Sequence, residues 1–139
     1  MQFQKFKVIV TLAMLTLVSC SKEENVDLTR WLNSEENFFQ AWIETVAPPP
    51  NIVSGTPATF SVSYIKPNPC YFLVGIKTYQ DGFSVNLFVL LDYPDSGSIC
   101  PQVLVGETSQ FQILFPKPGK YTINFKGMNG TESLQVTVK

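Results

Sequence analysis

The end of this chain alternates apolar and polar residues with a period of two, a pattern that commits it to extended strands. Tyr121, Ile123 and Phe125 share one face while Thr122, Asn124 and Lys126 share the other. Asn129-Gly130 then signals a hairpin turn, after which Leu134, Val136 and Val138 alternate with Gln135, Thr137 and Lys139. Successive side chains of a strand point to opposite sides, so such a segment buries one face and wets the other. The same habit recurs upstream. Phe60, Val62 and Tyr64 alternate within Thr59–Ile65, and Phe72, Val74 and Ile76 within Tyr71–Tyr79. Phe83, Val85, Leu87, Val89 and Leu91 follow, then Phe111, Ile113 and Phe115. Breaks fall at Lys66-Pro67-Asn68-Pro69, Gln80-Asp81-Gly82, Asp92–Gly97 and Pro116-Lys117-Pro118-Gly119, all rich in turn residues. Short strands at this spacing imply an all-β sandwich of about seven antiparallel strands, with the alternating apolar sets as its core.

The start of the domain is ambiguous. Leu28, Trp31, Leu32, Phe39, Trp42, Ile43 and Val46 also fall at helical spacing, so a helix from Asp27 through Val46 competes with a strand. The β-rich residues of Phe39–Ala47 and the Pro48-Pro49-Pro50 stop favour a strand there, and a short helix before Asn37 stays open.

Ahead of this lies a different kind of segment. Lys5 and Lys7 precede an apolar run from Val8 to Val18, then Ser19-Cys20 and the polar Ser21-Lys22-Glu23-Glu24. The run is far short of the roughly 20 residues that cross a bilayer as a helix. It resembles a cleavable bacterial lipoprotein signal in which the cysteine becomes the lipidated N-terminus. On this expectation residues 1–19 are removed and residues 20–38 form a lipidated cysteine and tether. Residues 39–139 are then the folded domain. A thioether-linked diacylglycerol plus an acylated N-terminus supplies at least two chains, enough for stable anchoring. Ser21 in place of an aspartate favours the outer membrane, and Lys22-Glu23-Glu24 resembles the acidic export tag of Bacteroidetes-type surface lipoproteins.

Composition narrows the chemistry. The formal net charge is −1, so no electrostatic footprint for nucleic acid exists. The chain contains no histidine. That removes Ser-His-Asp triads, Cys-His nucleophile pairs, histidine metal sites and histidine pH switches. Of three cysteines, Cys20 is assigned to lipid, which leaves Cys70 and Cys100. In an oxidising compartment these are expected to form a disulfide, the alternative being two free buried thiols.

Thr59–Tyr64 followed by Pro67-Asn68-Pro69-Cys70-Tyr71, then Ser98-Ile99-Cys100-Pro101-Gln102 and the Pro118–Gly127 run, resembles a group of small Bacteroidetes-type lipoproteins. Those proteins have an immunoglobulin-like β-sandwich and a cysteine at each of the two places. The resemblance covers about residues 40–139 and implies an immunoglobulin-like fold and the Cys70–Cys100 disulfide. Pro69 and Pro101 depart from the group's usual Gly and Thr, which changes loop geometry. The group implies no activity.

Several residues are candidates for function. Trp31, Phe38, Phe39 and Trp42 cluster near the domain's start, and Tyr93 sits in a loop. Rigid aromatic rings stack well on sugars and peptides, so Trp31, Trp42 and Tyr93 are the candidate ligand contacts, against a simpler role for Trp42 in the core. Asp92 and Asp95 offer loop oxygens of the kind calcium takes, without the spacing of a calcium loop. Glu44, Asp81, Asp92, Asp95 and Glu107 supply no motif that sets two carboxylates at glycosidase distance. Asn129-Gly130-Thr131 fits a glycosylation pattern but is explained by the hairpin. A protease-inhibitor role is disfavoured, because Cys70-Tyr71 follows Asn68-Pro69 where such sandwiches carry a Gly/Thr-rich loop. The expectation is therefore a non-enzymatic, lipid-anchored envelope protein without cofactor or metal. It would bind another envelope protein through sheet edges or the loops near Pro48–Pro50, Asp92–Gly97 and Pro116–Gly119. A surface carbohydrate-binding lipoprotein is the alternative.

Overall fold

The structure, a computed structural model, describes residues 38–94, 97 and 99–139. The signal segment, Cys20, the tether up to residue 37, Trp31 and a short helix before Asn37 lie outside the described residues, as do Asp95, Ser96 and Ser98, whereas the competing helix through Val46 is excluded by the strands over Phe39–Gln40 and Trp42–Ala47. Eight strands follow one another: β1 (Phe39–Gln40), β2 (Trp42–Ala47), β3 (Pro57–Lys66), β4 (Phe72–Asp81), β5 (Ser84–Asp92), β6 (Val105–Leu114), β7 (Gly119–Gly127) and β8 (Gly130–Val138). They form a five-stranded sheet containing β1, β4, β5, β7 and β8, and a three-stranded sheet ordered β2-β3-β6. The all-β sandwich read from the alternation is therefore the fold.

Two details differ from an antiparallel sandwich of about seven strands. Phe39–Ala47 is not one strand. Phe39 and Gln40 pair with Leu91 and Leu90 in the larger sheet, whereas Trp42–Ala47 pairs with β3 in the smaller. The switch occurs at Ala41, which is wholly buried and whose N–H donates to the Val89 carbonyl at 2.9 Å. Only a small side chain suits a crossing point between two packed sheets. The second difference is that β5 and β7 run parallel over Ser84–Leu87 and Thr122–Phe125. The chain leaves β5, crosses to the other sheet as β6 and crosses back as β7, and two reversals restore the original direction.

The core lies between the sheets. Phe60, Val62 and Tyr64 of β3 face Val85, Leu87, Val89 and Leu91 of β5, with Tyr121 and Ile123 of β7 and Val136 and Val138 of β8, all buried. Phe60 stacks on Phe111 at 5.5 Å and tilts against Phe115 at 6.2 Å. Each such large side chain contributes roughly 1.5–3 kcal/mol by leaving water.

Three expected core residues are elsewhere. Phe72 and Val74 are exposed, because the β4–β5 register shifts between Leu73 and Gly75. That bulge turns Leu73 toward the core in their place, while Ile76, beyond it, packs against the core as the alternation predicts. Phe83 occupies the hairpin turn, outside the strand alternation, and is about half exposed. The turn itself falls at Gly82-Phe83 rather than Asp81-Gly82, with Asp81 opposite Ser84 and Gly82 at φ 57. Glycine at the first central position is the habit of a type II′ hairpin. The β7–β8 hairpin is displaced the other way, one residue early, closing at Met128-Asn129 between Gly127 and Gly130.

Candidate functional site

The two ends of the sandwich differ in chemistry. At one end the β6–β7 corner is drawn shut. Tyr121, buried, donates its hydroxyl to the Lys117 carbonyl at 2.9 Å, the corner device of immunoglobulin-type sandwiches. Phe83 packs edge-on to Tyr121 at 4.9 Å and crosses so close to Gly119 that a β-carbon there would lie 2.7 Å from its ring. A shallow cavity of about 330 Å³ remains between Gln80, Phe83, Pro116, Lys117 and Tyr121.

The other end holds the start of β1, the β3–β4 turn and the long connection from β5 to β6. It is held by the Cys70–Cys100 disulfide, whose α-carbons are 6.1 Å apart and whose residues are 30 apart in sequence. Asn68, the one buried polar residue among the described residues, organises this link. Its side-chain oxygen accepts from the Cys70 N–H at 3.0 Å, and its carbonyl accepts from the Tyr71 N–H at 3.3 Å, closing the turn. The Cys100 sulfur also touches that side-chain oxygen at 3.1 Å. An oxidised sulfur carries no proton, so this is a close sulfur–oxygen contact, not a donated hydrogen bond.

Beside the disulfide runs a chain of four aromatic rings. Trp42 meets Phe39 edge to face at 5.6 Å, Phe39 tilts on Tyr71 at 5.4 Å, and Tyr71 tilts on Tyr93 at 5.1 Å. The fold thus joins Trp42 and Tyr93, two of the sequence candidates, through Phe39 and Tyr71. Trp42 is half-buried on the outer side of the smaller sheet, opposite Ile65 in register. Only Tyr93 is open enough to offer a ring face, at 39% exposure. The sequence candidates did not include Tyr71, although its place next to Cys70 was the available signal.

The connection on either side of Cys100 carries exposed apolar side chains. Ile99 is 100% exposed, and Val103 and Leu104 are more than half exposed. Phe72 and Val74, at the start of β4 beside Cys70, are also exposed.

The acidic residues are dispersed. Asp81 and Asp92 stand at opposite ends of the β4–β5 hairpin, about 26 Å apart along the strand at roughly 3.3 Å per residue. The Asp92 carboxylate accepts from the Tyr93 N–H at 2.7 Å, and Glu107 pairs with Lys66 at 2.8 Å. Among the described residues no three acidic or cysteine side chains gather as a metal site would require. Burial pushes the Tyr64 phenol above its ordinary range, partly opposed by its hydroxyl contact with Ser109 at 3.3 Å.

Comparison with curated proteins finds no match, and comparison with solved structures finds none either. A family model does match: residues 60–138, from within β3 to the end of β8, fit the ORF11 beta-sandwich domain. That span is more than half of the chain and contains most of both sheets. The chain therefore belongs to the ORF11 beta-sandwich domain family.

Proposed function

We propose that this protein is a non-enzymatic binding or accessory protein of the bacterial cell envelope. It is held in the outer membrane through a lipidated Cys20 and engages another envelope protein with the disulfide-pinned end of its sandwich. The observation that carries this reading is the exposed apolar loop tied to the fold by Cys100. Ile99, Val103 and Leu104 stand in water at one end, with Phe72 and Val74 also exposed there. Apolar side chains grouped in this way mark contact surfaces. A disulfide lowers the entropy that a loop loses on binding, which favours affinity. The lack of histidine and the separation of Asp81 from Asp92 support a role without catalysis.

The test uses the native lipoprotein extracted in mild detergent, with an Ile99→Asp/Leu104→Asp variant beside it. The expected result is one stoichiometric envelope protein with the wild type and at least tenfold less with the variant, at unchanged melting temperature. Equal recovery with both would move the contact away from this end. Cys20→Ala is expected to leave the membrane fraction, and its retention there would refute the anchor.

A second reading, carbohydrate binding, is favoured by a depression of about 250 Å³ on the outer face of the larger sheet. Gln40, Asn86, Asn124 and Thr131 line it with amides and a hydroxyl beside the Phe88 ring. Calorimetry against a glycan panel tests this, and Asn86→Ala should abolish any binding detected.

A further inference from the structure

A β-sandwich has sheet edges, and, the two-residue β1 aside, three of the four edge strands here carry features that discourage another strand. The register of β2 shifts between Ile43 and Thr45, and the chain continues into Pro48-Pro49-Pro50. β4 bulges between Leu73 and Gly75 and carries Lys77 and Asp81. β8 is flanked by Pro48–Pro50, which border a depression shared with Gln135 and Thr137. The backbone of Lys139 beyond it is paired with Ile52 and Ser54. Bulges, charges, prolines and covering segments are the usual means of blunting an edge.

β6 has none of these. It pairs with β3 in unbroken register from Val105 to Leu114, and its other edge has no backbone partner among the described residues. It contains no lysine and no proline. Its single charge, Glu107, is neutralised by Lys66 at 2.8 Å. The free edge is about 34 Å long, at roughly 3.4 Å per residue.

We propose that β6 is a self-association edge: two copies pair their β6 strands antiparallel about a two-fold axis at Gln110, which joins their smaller sheets into one. The chemistry of the strand is self-complementary in this register. Directly opposed residues of an antiparallel pair share a face, so Gln110 meets its own copy and Thr108 meets Gln112. Gln110 is exposed, and its amide has no hydrogen-bond partner among the described residues. Two amides at the axis satisfy one another. Gly106 meets Leu114: the space where a β-carbon of Gly106 would point is open, and Leu114 is 54% exposed. Glu107 faces Ile113 of the other copy, so no like charges are opposed. A two-fold axis makes each contact occur twice, as closed dimers require.

Sedimentation equilibrium of the full-length protein in density-matched detergent tests this. The wild type is expected to be a dimer. Gln110→Lys places two ammonium groups across the axis, and Gln110→Glu places two carboxylates there. Each should raise the dissociation constant at least tenfold, with the melting curve of the monomer unchanged because the side chain is exposed. Mixing the two variants should restore the dimer, since lysine then faces glutamate. A wild type that stays monomeric overturns the proposal and leaves the edge to an extended segment of another protein. Dimers that persist in both variants, or a mixture that stays monomeric, also overturn it.

Discussion

The two ends of this sandwich solve the same problem by different means. At the Tyr121 end the β4–β5 and β6–β7 connections are short, and local contacts close them: a hydroxyl bonded four residues back, a phenyl ring pressed on a glycine, and a two-residue hairpin. At the Cys70 end the chain passes from Asp92, the last residue of β5, to Val105, the first of β6, with no strand among the described residues between them. No local hydrogen bond can order so long a connection, and a covalent link does so instead. The difference separates structural closure from presentation. The Tyr121 end buries Tyr121 and Phe115, whereas the Cys70 end keeps Ile99, Val103 and Leu104 in water.

The comparison can be broken in graded steps. Tyr121→Ala removes a buried ring and its hydrogen bond, and chemical denaturation should show a loss of about 3–5 kcal/mol. Replacing both Cys70 and Cys100 by serine should cost about 3–4 kcal/mol, because a closed loop of this size restricts the unfolded chain. The two losses should look different. Hydrogen exchange should quicken around Phe83 and Gly119 in the first variant and around Tyr71 and Tyr93 in the second. Exchange patterns that coincide would deny the ends their independence.

Smaller changes sharpen the picture. Tyr121→Phe keeps the ring and deletes only the bond to Lys117, so about 1 kcal/mol should be lost. Tyr64, two residues from the Cys70-end terminus of β3, offers a pH probe. Its phenol is raised by burial, so above pH 10 the unfolded chain loses this proton before the folded one does. Stability from this group is complete below the ordinary phenol value and declines as pH rises through the folded one. Thermal melts should therefore fall at alkaline pH, and Tyr64→Phe should flatten that fall. Ile99→Asp should change stability least, within about 0.5 kcal/mol, since a fully exposed side chain has no packing to lose.

The alternation of Tyr121, Ile123 and Phe125 was enough to read strands and their buried faces, because period-two burial depends only on backbone geometry. It failed at Phe72 and Val74, where a bulge changes which residues face inward, and bulges leave little trace in composition. The alternation of Phe111, Ile113 and Phe115 marks only the second half of β6; Val105–Ser109 carry no apolar alternation, yet β3 pairs with all of them. For the candidate site, Trp42 and Tyr93 stood out as large rings. Their connection through Phe39 and Tyr71 did not, since the four residues come from separate parts of the chain.

By itself the sequence determined the class of fold, the turn-rich breaks and the one plausible cysteine pair in the domain. These follow from local periodicity, turn chemistry and redox environment. Tertiary structure alone decided the sheet switch at Ala41, the parallel pairing of β5 with β7, the ring chain beside the disulfide and the bare edge of β6. Each of these depends on which distant strands become neighbours. That is settled by how two twisted sheets pack over a common core, a non-local property that no stretch of residues contains.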